Sequence, residues 1–238
     1  MELEQKIAQK NILLAFSNVF SSSIYPIYKE HEESFDKDGI HGVLHIARSI
    51  VASFILSIKC KELGMKTNTT DILIATAFHD SGRKANGNDY WEGASSENCL
   101  AFITKNNFML KSQLTNNTPD MVSKMIVKRC VNDFEDAFKK YENPIDFMCV
   151  YDSDCLEIMR ECCGRGGRNS FIKEKLLLYN YNYDFYIYYG QLINEWWSFI
   201  CATENIKPEL STPDCLNKLI QLIEMNPEQY PLIYEAII

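Results

Sequence analysis

The chain is poor in the residues that punctuate strands. Its 238 residues hold 10 glycines and 7 prolines, together about 7% against roughly 12% in average usage, too few for the short, turn-linked strands of a sandwich or barrel. Excess positive charge is also missing. With 24 Lys and Arg against 32 Asp and Glu the net charge is −8, which argues against general nucleic-acid binding or attraction to an anionic membrane. No CxxC occurs, and nine scattered cysteines suit neither a disulfide framework nor a zinc knuckle. A reducing, cytoplasmic compartment is expected. The first residues carry no basic, cleavable leader pattern. The longest uncharged stretch, 11–28, contains Asn, Ser and Pro and makes a poor membrane span. What remains, 46% hydrophobic and 24% charged residues, is globular composition.

Helical periodicity dominates. Ile7, Leu13, Leu14, Phe16 and Phe20 recur near helical spacing over 3–20, and the Ser21–Ser23 run with Pro26 ends that element. A charged loop over about 29–40 leads to a long apolar helix from His41 to Leu63, closed by Gly64. Thr69, Thr70 and Asp71 offer caps for a short buried helix, Ile72 to Phe78. A polar loop over 81–92 precedes helices at about 93–105, 119–141 and 144–162, the second opened by Thr118-Pro119-Asp120. After the glycine-rich stop at 164–168, helices are expected at about 169–189, 191–203, 213–225 and 227–237. The fold class is therefore all-α, a single-domain helical bundle over 1–238, with a motif-bearing core at about 40–160 and a C-terminal helical extension at about 169–238. An aromatic run from Tyr179 to Tyr189 is read as packing of the C-terminal helices or a partner surface, and Cys162-Cys163 as small apolar packing.

All four histidines lie in the first third of the chain. His41 and His45 are four apart, which puts both on one face of the expected helix. His79-Asp80 ends the apolar segment at 72–78, and Asp152 and Asp154 lie near the start of a later helix. Imidazole and carboxylate together suit a divalent cation, whereas His31, among Glu30, Glu32 and Glu33, is expected to face solvent.

The order His, His-Asp, Asp on successive helices resembles the HD phosphohydrolase superfamily, and the bundle is expected to be HD-domain-like. The resemblance implies that His45, His79, Asp80 and Asp154 hold a divalent metal (Mn, Mg, Fe, Ni or Zn) that activates water toward a small phosphorylated or nucleotide-like substrate. Asp154 is preferred because the apolar Leu156 follows two residues later, with Asp152 as runner-up. Arg83 and Lys84 would neutralise phosphate oxygens, with Arg160 a weaker candidate. His41 would protonate the leaving oxygen and Glu92 orient water.

A narrower likeness is to the phosphodiesterase domains of SidE-type bacterial effectors. It rests on His41-Gly42-Val43-Leu44-His45, on His79-Asp80-Ser81-Gly82-Arg83, and on Asp89-Tyr90-Trp91-Glu92 before a helix with Ser95, Ser96 and Cys99. It implies metal-free chemistry on ADP-ribosylated or phosphoribosyl-linked ubiquitin, with His41 and Glu92 as acid and base. Those domains use a further histidine late in the site, whereas this chain has none after His79 and offers Asp154 in that region. That departure makes a metal-dependent HD-type phosphohydrolase the leading expectation. The SidE-like reaction, and a degenerate domain that only binds a nucleotide or protein, are the alternatives.

Overall fold

The computed structural model describes residues 3–85, 90–106, 118–128, 131–159 and 174–238, and every regular element among them is helical. Arg160, Cys162-Cys163, the turn at 164–168 and Asp89 lie outside the described residues.

The N-terminal helix does not stop where the serines suggest. α1 (Leu3–Val19) passes through one π-helical turn (Phe20–Ile24) directly into α2 (Tyr25–Ser34). Pro26 is tolerated because it sits in the first turn of α2, where its missing N–H leaves little unsatisfied. The wide turn absorbs the change of register while keeping Phe20 and Ile24 buried. In place of a loop from residue 29, a helical face continues toward the core, and His31 is buried rather than solvent-facing. Its ring packs against Tyr28 and Phe35 at centroid separations of 5.3 and 4.9 Å.

α3 (Val43–Glu62) is the axis of the bundle. Nearly all its residues are buried, serines included, which is what a helix apolar on every side requires. It is long and apolar enough to cross a membrane, yet 94% of that window is buried inside the protein. It begins two residues later than expected, so His41 precedes the helix instead of lying on it. Gly64 closes it at φ +77°, a left-handed position suited to glycine. α4 (Thr69–Phe78) is capped by Asn68, whose side chain accepts from Asp71 N–H, and not by the Thr69–Asp71 run itself.

α5 (Trp91–Lys105) follows. Thr118 caps α6 (Pro119–Lys124) as its motif suggests, but the single helix expected over 119–141 is two. Asp133 supplies a fresh cap, accepting from Asp136 N–H at 2.9 Å, and starts α7 (Phe134–Lys140). α8 (Pro144–Ile158) packs beside α3 and α4. The C-terminal part comprises α9 (Leu177–Tyr181), α10 (Tyr183–Asn205), α11 (Lys207–Leu210), α12 (Cys215–Met225) and α13 (Pro231–Ile237). The break expected near 190 is instead at Asn182, which caps α10 through Asp184 and Phe185 N–H. Gly190 is carried inside α10, at a cost of about 1 kcal/mol for a glycine in a helix interior. Phe185 and Tyr189 bury one face of the aromatic run in the common core beside Trp196, and Tyr183 stays exposed.

One buried cation ties this extension to the rest. Arg48 of α3 donates to Glu157 of α8 at 3.0 Å, to Thr203 of α10 at 3.0 Å and to Glu204 of α10 at 2.7 Å. Arg48→Ala leaves Glu157 buried without this partner and is expected to cost about 3–5 kcal/mol. Denaturant unfolding of the two proteins measures it.

Candidate active site

Three chain segments meet at one end of α3. His45 is on the first turn of α3, His79 is the residue closing α4, Asp80 follows it, and Asp154 lies in the third turn of α8. His45 Nε2 and His79 Nε2 are 3.2 Å apart. Asp80 Oδ2 lies 3.5 Å from the first and 3.6 Å from the second. Asp154 Oδ1 lies 3.7 and 3.4 Å from the same two nitrogens. All four residues picked out by sequence order therefore converge, across a separation of up to 109 residues.

His41 joins them from the segment before α3. Buried Asp36 accepts the backbone N–H of Ile40 at 2.9 Å and of His41 at 2.7 Å, which pins this stretch. Glu32 of α2 accepts the N–H of Val43 at 2.9 Å, doing for α3 what a capping side chain normally does. The glycine of the HGxxH motif follows from this contact. A Cβ on Gly42 would meet Glu32 Oε1 at 2.4 Å, so with any larger residue there the Glu32 carboxylate would have to shift from this position. His41 Nδ1 then lies 2.7 Å from Asp80 Oδ2, and its side chain is 17% exposed where His45, His79 and Asp80 are 2 to 3% exposed. His41 is thus the imidazole that reaches the opening.

The turn after Asp80 is built just as tightly. Gly82 N–H donates to Ser95 Oγ at 2.8 Å, and a Cβ on Gly82 would meet Ser95 N at 2.4 Å, so the turn lies directly on the first turns of α5. Glu92 is buried in that first turn. Arg83 Nε is 3.0 Å from Asp80 Oδ1, and its guanidinium lies 3.4 Å over the Trp91 ring, while Lys84 is exposed.

Asp152 belongs to a different task. It is fully buried and accepts the N–H groups of Leu177 and Leu178 at 2.9 and 3.0 Å, holding the start of α9. Burial pushes its carboxyl up to about 7, against the pull of those two donors. Sequence reasoning missed Lys128, whose Nζ is 2.8 Å from Asp154 Oδ2. No motif surrounds Lys128, so nothing local marks it. It also missed Glu157, 3.6 Å from His45 Nδ1, although that residue lies three beyond Asp154 and so shares its helix face.

Electrostatics favour ionised carboxylates. Burial alone would raise Asp80, but His79, His41 and His45 outweigh it and hold its carboxyl well below the usual range. Burial likewise opposes ionisation of Asp154, and Lys128 and His79 hold it well below. Asp154 in turn raises Lys128 against the effect of that residue's own burial.

The donor set fits a cation. His79 Nδ1 donates to Thr76 C=O at 2.7 Å, which leaves Nε2 as the free lone pair. Two overlapping triads of donor atoms, His41–His45–Asp80 and His45–His79–Asp154, each lie within 4.8 Å of one another and could hold a metal ion. Protein cations already offset both carboxylates, however, Arg83 for Asp80 and Lys128 for Asp154.

Comparison with family models matches residues 39–226 to the SidE phosphodiesterase (PDE) domain. The chain belongs to that family. The match spans His41, His45, His79, Asp80, Glu92, Lys128 and Asp154 and most of the C-terminal helices, and it supports a phosphodiesterase. It favours the SidE-like alternative over the HD-type, metal-dependent reading that the sequence had placed first. No curated protein and no solved structure matches the chain.

In this SidE-family chain the two neighbouring aspartates are separable. Asp152→Ala leaves two backbone N–H groups without their acceptor and is expected to lower stability by about 1–3 kcal/mol, with phosphodiester turnover per folded molecule kept. Asp154→Ala leaves Lys128 without its carboxylate partner, so it too is expected to lower stability, but it differs in losing turnover per folded molecule. Thermal unfolding and initial rates measured side by side check both.

Proposed function

We propose that the chain hydrolyses a phosphodiester of ADP-ribosylated or phosphoribosyl-linked ubiquitin, using its own side chains for proton transfer, and that it does so as an exported effector in a host cytosol. One observation carries this reading. His41 is the partly exposed imidazole of the cluster, and its Nδ1 is 2.7 Å from a buried carboxylate of depressed pKa. A carboxylate so placed fixes the tautomer and orientation of the ring, which leaves Nε2 to exchange a proton with substrate. Glu92 takes a proton from the attacking water as the new P–O bond forms. His41 gives one to the leaving oxygen as the old P–O bond breaks. Arg83, Lys84 and Lys128 stabilise the negative charge that builds on the phosphoryl oxygens.

A second reading is favoured by the two clustered donor triads, His41–His45–Asp80 and His45–His79–Asp154. In it His45, His79, Asp80 and Asp154 hold a divalent cation, which when bound supplies Lewis acidity at a phosphoryl oxygen. The two readings share residues and differ in their response to chelation.

ADP-ribosylated ubiquitin is therefore incubated with the full chain, with and without chelator, and AMP release is followed. The first reading predicts chelator-resistant release that His41→Ala or Glu92→Ala lowers by about 10²–10⁴-fold. Loss on chelation that added metal restores supports the second. No hydrolysis under either condition contradicts both and leaves a domain that only binds.

A further inference from the structure

Behind the cluster lies a carboxylate that the proton transfers do not use. Glu157 is on α8, three residues beyond Asp154, and its side chain is fully buried. A charge in that position must be met by a cation or by donors, and Arg48 meets it, with Nε 3.0 Å from Glu157 Oε2. The same oxygen lies 3.6 Å from His45 Nδ1.

The His45 ring therefore has two unlike edges. Its Nε2 faces the cluster, 3.2 Å from His79 Nε2, 3.5 Å from Asp80 Oδ2 and 3.7 Å from Asp154 Oδ1. Its Nδ1 faces Glu157. At 3.6 Å that contact is longer than a hydrogen bond, so what Glu157 supplies is the field of a charge held in the protein interior, where little water weakens it. Such a field attracts a proton on Nδ1 and repels a lone pair there. His79 divides its nitrogens in the same way, with Nδ1 donating to Thr76 C=O at 2.7 Å and Nε2 turned on the cluster.

We propose that Glu157 is a positioning residue for His45: held in place by Arg48, its carboxylate keeps a proton on His45 Nδ1, and so keeps Nε2 as the nitrogen presented to His79, Asp80 and Asp154. Its effect on turnover rests on the phosphodiesterase reading, whereas the state of the ring does not. Arg48 extends the arrangement outward, because it also donates to Thr203 and Glu204 of α10. The C-terminal helices thereby bear on the orientation of an imidazole in the cluster. Removing an outer group that orients a histidine in this way typically costs about 10–100-fold in activity.

A residue that serves only as counter-ion to Arg48 behaves differently from one that positions His45 once the ion pair is removed as a unit. Arg48→Met/Glu157→Leu leaves neither charge of the pair buried alone, and replacements of this kind are often neutral or stabilising. In this variant of the full chain, kcat per folded molecule on ADP-ribosylated ubiquitin is expected to fall about 10–100-fold with KM unchanged. Imidazole nitrogen NMR is expected to show His45 Nδ1 protonated in the native protein and no longer so in the variant. Glu157→Gln keeps the shape and an acceptor for Arg48 while removing the charge, and it is expected to move both readouts in the same direction, which covers a double variant that does not fold. A native His45 Nδ1 without a proton, or native kcat in a folded variant of either kind, overturns the inference. Failure of the native protein to release AMP overturns the proposed activity instead, and the nitrogen signals of native and variant proteins then decide the role of Glu157 by themselves.

Discussion

The ionised carboxylate of Asp80 is the constraint around which this end of the bundle is arranged. A charge removed from water must be met by donors or cations, and Asp80 is met from several directions: His41 from the segment before α3, His45 from α3, His79 beside it in sequence, and Arg83 from the turn beyond. Each partner needs a local device to arrive there. Gly42 admits Glu32 to the start of α3, Asp36 pins the backbone of His41, and Gly82 lets the turn bearing Arg83 lie on α5. The two glycines of the motifs are thus explained by close approach of other groups, since neither has positive φ.

Asp154 repeats the arrangement on the opposite side of the imidazole pair, with Lys128 as its cation. Asp80 and Asp154, each with a protein cation beside it, thus flank a pair of imidazoles. A site balanced in this way can perform proton transfer through His41, and the same spacing suits a metal. The choice between these turns on solution chemistry at one cluster and not on any difference in fold.

The helical class and the four converging residues were legible because each depends on short-range pattern. Low glycine and proline content, the apolar run of α3 and the order of His and Asp along successive helices all survive without knowledge of tertiary contacts. What could not be read depended on groups far away in sequence. Pro26 and three serines read as a stop, yet a π-helical turn carried the chain through and turned His31 inward. His41 looked helical from its spacing to His45, but a cap borrowed from Glu32 started α3 two residues later. Asp152 and Asp154 were nearly equivalent in sequence and are separated only by Leu177 and Leu178, which claim the first as a backbone acceptor. Lys128 had no signal at all because its meaning comes from Asp154, 26 residues later.

The central claim is that His41 and Asp80 act as one unit in phosphodiester hydrolysis. A kinetic double-mutant cycle addresses it directly, comparing kcat/KM for ADP-ribosylated ubiquitin in the native protein, His41→Ala, Asp80→Asn and the double variant. If the carboxylate works by holding the ring that exchanges the proton, the double variant loses no more than the worse single one. Losses that multiply would mean that the two residues contribute independently and would contradict the account.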